Sequence, residues 1–197
     1  MVLRDADIRE PLFDFLEEAY GKTRILEEKR TGRSRADVVM VTEEAVIGLE
    51  IKSDADSYRR LAGQVKDYDR YYDYNFVVAG SRHALHIREH VPDYWGVITV
   101  EEIDGAVDFY VLRKPERNPK AKLKKKMSLL WRSELAALQQ LYGMPKYTNK
   151  SKDFVISKIV ERTEIQLGGK GYIELERLHR EISDQLFERD YTQYASE

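Results

Sequence analysis

The spacing of apolar residues changes several times along this chain, and each change marks an element. Ile8, Leu12, Phe15 and Ala19 recur at helical spacing, the signature of one buried helix face. Asp5 or Asp7 can cap this helix and Gly21 stops it. Pro11 fits only in the first turn, which places the start near Asp7. Arg24 to Lys29 then reads as a strand, followed by the basic, glycine-containing turn Arg30-Thr31-Gly32-Arg33-Ser34-Arg35. Two apolar runs come next, Ala36 to Val41 and Val46 to Lys52. Thr42-Glu43-Glu44-Ala45 between them is short enough to be a hairpin loop.

Asp56 or Ser57 caps a second helix that runs to about Tyr72. Tyr74 to Gly80 reads as a buried strand, and His83 to His90 as a short helix ended near Pro92. Gly96 to Val100 and Val107 to Leu112 are two more strands, joined through Asp104-Gly105. This order predicts an α/β fold, a mixed β-sheet flanked by helices.

Composition then shifts. Arg113 to Lys126 is crowded with lysine and arginine, with one acid, Glu116, and two prolines. It reads as an exposed arm. Three helices follow, near 128–142, 151–163 and 174–189, the last with the apolar stripe Leu175, Leu178, Ile182 and Leu186. The expected organisation is a core over 1–112, a basic linker over 113–127 and a helical C-terminal subdomain over 128–197. Gly168-Gly169-Lys170-Gly171 lacks the spacing of a Walker loop and reads as a turn between helices.

Charge and composition narrow the function classes. The 197 residues carry a formal net charge of -2, with charged residues of both signs making up 35%. Any contact with a polyanion must therefore come from a local positive patch. Cysteine is absent, which excludes disulfides and thiolate metal sites and agrees with a cytoplasmic location. No apolar stretch approaches membrane length.

The chemistry concentrates on the second hairpin. In Val46 to Lys52, Glu50 and Lys52 share the face opposite Ile47, Leu49 and Ile51, because side chains alternate. A hairpin symmetric about Glu43-Glu44 places Asp37 directly opposite Glu50, with Cβ atoms about 5 Å apart. Two carboxylates that close repel unless neutralised. A hard divalent cation would neutralise them, and Mg²⁺ uses one or two carboxylates together with water and phosphate oxygens. Lys52 would stand beside it, placed to orient a water or stabilise developing charge. A surface ion pair is the plain alternative.

On the next helix, Gln64 and Tyr68 are four residues apart and share a face. With Arg35-Ala36-Asp37-Val38 and Glu50-Ile51-Lys52, they give a pattern that resembles the PD-(D/E)XK nuclease superfamily, with its restriction-endonuclease-like fold. It is similar in particular to the RecB-like branch, which carries a Gln-x-x-x-Tyr motif. Arg59-Arg60-Leu61 and Pro92-Asp93-Tyr94-Trp95-Gly96 resemble a bacterial and phage group of that superfamily. Ala36 stands where the name-giving motif has proline.

The resemblance implies a Mg²⁺- or Mn²⁺-dependent nuclease, acting on DNA in preference to RNA. It makes Asp37 and Glu50 metal ligands, Ile51 a ligand through its carbonyl, and Glu10 of the first helix a further acid. Lys52, Gln64 and Tyr68 complete the catalytic set. Arg35, Arg60, Lys122, Lys124, Lys125 and Lys126 are the expected nucleic-acid contacts. The alternative is an inactive nucleic-acid-binding or protein-recruiting module on the same fold, with the C-terminal helices offering a homodimer surface.

Overall fold

The structure is a computed structural model describing residues 3–164 and 171–189. Gly168, Gly169 and Lys170 lie outside the described residues. The chain divides into two units between Ala121 and Lys122.

The first unit is a six-stranded mixed sheet flanked by helices. Helix α1 (Asp5–Tyr20) precedes strands β1 (Arg24–Thr31), β2 (Ser34–Val41) and β3 (Val46–Lys52). Helix α2 (Leu61–Tyr71) leads to β4 (Tyr74–Gly80). The short α3 (Ser81–Ala84) then precedes β5 (Gly96–Ile103) and β6 (Ala106–Arg113). Strands lie in sequence order across the sheet. β1, β2 and β3 pair antiparallel, β3, β4 and β5 parallel, and β5 and β6 antiparallel.

The expected hairpin register is present. Val38 pairs with Leu49, Val39 with Gly48, Met40 with Ile47 and Val41 with Val46. Alternation along β2 and β3 then sorts their side chains onto two faces. Val38, Met40, Ile47, Leu49 and Ile51 join Phe76, Val78, Ile98 and Val100 in a core with Ile8, Leu12 and Leu16 of α1. Gly48, Glu50 and Lys52 take the other face, where Tyr68 and Tyr72 are buried. Gly48 is required there: a Cβ would overlap the Tyr72 ring and lie 2.8 Å from Tyr68 Cδ1.

Three local readings are adjusted. α1 begins at Asp5, so Pro11 sits in its second turn and removes one main-chain hydrogen bond. Asp7 still serves the start, accepting the Arg4 N–H at 2.8 Å. The basic turn shrinks to Gly32-Arg33, because Thr31 and Ser34 already pair. Asp67 of α2 fastens that turn, accepting from Arg33 N, Ser34 N and Ser34 Oγ at 2.7–3.1 Å. The expected 83–90 helix is α3 plus a separate 3-10 turn at Ile87–Glu89. Tyr58 packs its ring against both His83 and His90 there, at centroid distances of 4.7 and 3.9 Å.

The exposed arm is a correction in part. Residues after β6 are strapped to the first unit: the Asn118 side-chain amide donates to Asp69 O and Tyr72 O, and Glu116 N donates to Tyr94 O. Asp69 also accepts from Trp95 Nε1 and Tyr94 OH, which gives the Tyr94-Trp95 pair a structural role. The second unit holds α4 (Leu123–Met127), α5 (Arg132–Leu141), α6 (Lys152–Glu164) and α7 (Leu175–Phe187). Its interior includes Met127, Leu135, Leu138, Ile159, Leu178, Ile182 and Leu186. Among the described residues, no helix is long and apolar enough to cross a membrane.

Candidate active site

Asp37 lies on β2 at a break in the sheet. β1 pairs with β2 at Glu27–Val38 and again at Lys29–Ala36, but skips Glu28 and Asp37. Glu28 has φ 53, a left-handed conformation that costs a non-glycine residue energy. Pairing with β3 stops at Val38–Leu49, one step before Asp37. The main chain of Asp37 is satisfied by side chains instead. Its N–H donates to Tyr68 OH at 3.2 Å, and its carbonyl accepts from Arg9 Nη1 at 3.2 Å. Its carboxylate reaches β3 directly, Oδ2 accepting the Ile51 N–H at 2.8 Å.

Glu50 and Lys52 stand on the same face of β3 as buried, paired charges. Lys52 Nζ is 2.5 Å from Glu50 Oε1, with the side chains 4% and 1% exposed. A pair this deeply buried is not the surface ion pair of the plain alternative, whose energetics are set by water. α2 supplies the rest. Gln64 Nε2 donates to Glu50 Oε1, while Gln64 Oε1 accepts from Lys52 Nζ at 3.1 Å. Tyr68 OH donates to Glu50 Oε2 at 2.7 Å. The i, i+4 spacing on α2 thus delivers both side chains to one carboxylate.

The electrostatics follow from this crowding. Burial raises the Asp37 carboxyl from 3.8 to about 7, and the negative Glu50 adds to the rise. The Ile51 N–H and the Lys52 ammonium pull the other way. The Tyr68 phenol is held well above its ordinary value by burial and by Glu50 and Asp37, so it remains a donor.

Lone-pair counting shows what remains for a ligand. Glu50 Oε1 accepts two donors and Oε2 accepts one, while Asp37 Oδ2 accepts one. A carboxylate offers about four acceptor sites, so both acids keep capacity, chiefly at Asp37 Oδ1. Oxygen donors of this kind suit a hard cation. Among the described residues no three acids or histidines gather into a metal-holding group.

The remaining candidates are placed as follows. Glu10 is exposed, and the α1 residue that reaches Asp37 is its neighbour Arg9. Arg35 is 67% exposed and pairs with Glu28 Oε2 at 2.7 Å. Arg60 is exposed at the start of α2. In the second unit, Lys122, Lys124 and Lys125 are exposed. Lys126 is a correction. It is 1% exposed, with Nζ 3.2 Å from His179 Nδ1, because it shares the inward face of α4 with Met127. A side chain turned into the helical unit does not meet a phosphate backbone.

Arg9 and Glu28 were not expected at the site. The signals available were the i, i+4 spacing of Asp5 and Arg9 and the acidic pair Glu27-Glu28 in a strand that faces Asp37.

Comparison with known proteins adds a family. No curated protein matches the chain. The solved structure of Pyrococcus furiosus SfsA in complex with Ca²⁺ is similar at 16% identity and a TM-score of 0.38, over 58% of this chain and 67% of that one. The model of the Bacteriophage P4 protein cII family matches residues 2–195, and the chain belongs to that phage protein family.

Proposed function

We propose that this protein is a metal-dependent nuclease that hydrolyses phosphodiester bonds in DNA. One observation carries the reading: Glu50, Lys52, Gln64 and Tyr68 form a single hydrogen-bonded cluster, and Asp37 on the adjacent strand joins it through its N–H to Tyr68 OH while its carboxylate accepts the Ile51 N–H. The buried Glu50 and the partly buried Asp37 set two carboxyl groups beside the Lys52 ammonium, an oxygen-donor pair that a divalent cation would suit.

Asp37 and Glu50 would hold Mg²⁺ or Mn²⁺, with the Ile51 carbonyl as a further oxygen ligand. Bound there, the ion would neutralise the phosphate and activate a water. Lys52 then orients the attacking water or stabilises charge on the phosphoryl oxygens as the phosphorus–oxygen bond to the leaving sugar breaks. Gln64 holds Lys52, and Tyr68 holds Glu50 against the Asp37 main chain. Arg35 and Arg60, and the exposed Lys122, Lys124 and Lys125, provide phosphate contacts.

The test is a cleavage panel of single-stranded, duplex and branched DNA and of RNA, with Mg²⁺, Mn²⁺ or chelator. Metal-dependent cleavage of DNA that disappears in Asp37→Asn, with folding intact, is the expected result. A second reading is favoured by a different observation: Glu50 already accepts three donors from within the protein, as a purely structural cluster would. On that reading the protein binds nucleic acid or recruits a partner without cutting. Intact substrates across the whole panel, with binding unchanged in Asp37→Asn, would establish it.

A further inference from the structure

The Arg9 guanidinium sits in a cage of acceptors drawn from three elements. Nε donates to Asp5 Oδ2 at 2.6 Å on α1, Nη1 to Glu27 Oε2 at 3.3 Å, and Nη2 to Glu28 Oε1 at 3.2 Å on β1. Nη1 also donates to the Asp37 carbonyl at 3.2 Å, and Nη2 lies 3.8 Å from Asp37 Oδ1 on β2. The side chain is 15% exposed. This cage closes over the point where β1 and β2 fail to pair, at Glu28 and Asp37.

An Asp37 paired normally to β1 and β3 would spend its amide and carbonyl on the ladder. Here the ladder opens, and the vacated carbonyl would be left without a partner unless a donor reached it. Arg9 reaches it, and at the same time anchors Glu27 and Glu28 of β1. Only a planar fork with five N–H groups can serve Asp5, Glu27, Glu28 and Asp37 together. A lysine has three donors and no plane.

We infer that Arg9 is a positioning residue that keeps the sheet open at Asp37, so that the Asp37 carboxylate rather than its main chain faces Ile51 and Glu50. This rests on the proposed metal role of Asp37 and Glu50, and extends it to a residue that touches neither metal nor substrate. Groups that orient ligands in this way typically contribute about 10- to 100-fold to metal affinity.

The experiment titrates Mn²⁺ into wild type, Arg9→Gln, Arg9→Lys and Asp37→Asn, reading free Mn²⁺ by electron paramagnetic resonance. Amide hydrogen exchange at Ile51 is followed in the metal-free proteins. Wild type is expected to bind and Asp37→Asn to lose binding. Both arginine variants are expected to bind about 10- to 100-fold more weakly, with faster exchange at Ile51 as its carboxylate acceptor drifts. Arginine variants that match wild type in both readouts overturn the inference and leave the metal reading standing. A wild type without Mn²⁺ affinity overturns the metal reading, and Ile51 exchange then decides alone whether Arg9 holds Asp37. Should both arginine variants fail to fold, Glu27→Gln loosens the same cage from an exposed position, and an unchanged Ile51 amide there overturns the inference.

Discussion

Asp37 and Ile51 are joined across β2 and β3 by a main-chain N–H donating to a carboxylate, at 2.8 Å from Ile51 N to Asp37 Oδ2. A side chain has taken the place of a carbonyl in the ladder, and its ionisation therefore bears on the stability of the sheet. The Asp37 carboxyl titrates near 7 in the folded chain against 3.8 for an ordinary aspartate. Between those values this carboxyl holds more of its proton in the folded state than in the unfolded one, so its contribution to metal-free stability falls as pH rises from about 4 to about 7. Asp37→Asn, which keeps an oxygen for Ile51, should match wild type near pH 4 and exceed it near pH 8. Urea denaturation across that range is the measurement.

Glu50 and Lys52 should behave as a buried pair whose halves cannot be removed singly. Glu50→Leu or Lys52→Met alone leaves one charge uncompensated and should cost about 3–5 kcal/mol. The double change Glu50→Leu/Lys52→Met removes both charges and should recover most of that loss. Chemical denaturation of the three variants forms a cycle, and simple additivity would contradict the pairing.

Tyr68→Phe removes the hydroxyl that receives the Asp37 N–H and donates to Glu50. The stranded amide and carboxylate oxygen should cost about 1–3 kcal/mol of stability. Cleavage, where present, should fall by roughly tenfold or more, since about 1.4 kcal/mol lost at the site corresponds to that factor. Equal stability in the two proteins would show that the hydroxyl bridges nothing of consequence.

The lysines of α4 and its N-cap Lys122 should separate into two behaviours. Alanine at Lys122, Lys124 and Lys125 should lower the salt dependence of DNA binding, by roughly 0.9 in the log–log slope for each phosphate no longer neutralised. Lys126→Ala should instead lower the melting temperature and leave the slope unchanged, because Lys126 lies inside the helical unit against His179. Binding measured at several salt concentrations, beside a thermal melt, distinguishes them.

The parts legible in the sequence are those set by local geometry. A short loop between two apolar runs allows one symmetric pairing, which the Val38–Leu49 and Met40–Ile47 pairs bear out. Gln64 and Tyr68, four apart on a helix, had to share a face. What was not legible depends on distant partners. Which of Arg9 and Glu10 turns to β2 is decided by the rotation of α1 as it packs on the sheet, since adjacent helix residues point about 100° apart. Asn118 sits in a run that reads as loose arm, but its acceptors, Asp69 and Tyr72, lie more than forty residues earlier. Lys126 sits among charged neighbours that read together as a solvated run, but it is buried beside Met127 in α4.

The bare stretch of backbone at Gly48 governs how low α2 rides over β3. The Tyr68 and Tyr72 rings occupy the space that any other residue would claim, so a methyl group at this position would lift the helix. Lifting it would carry Gln64 and Tyr68 away from Glu50 while every reacting side chain remained present. The clearance beneath one helix is thus a separate requirement for assembling the cluster, and Gly48→Ala is where it would be lost.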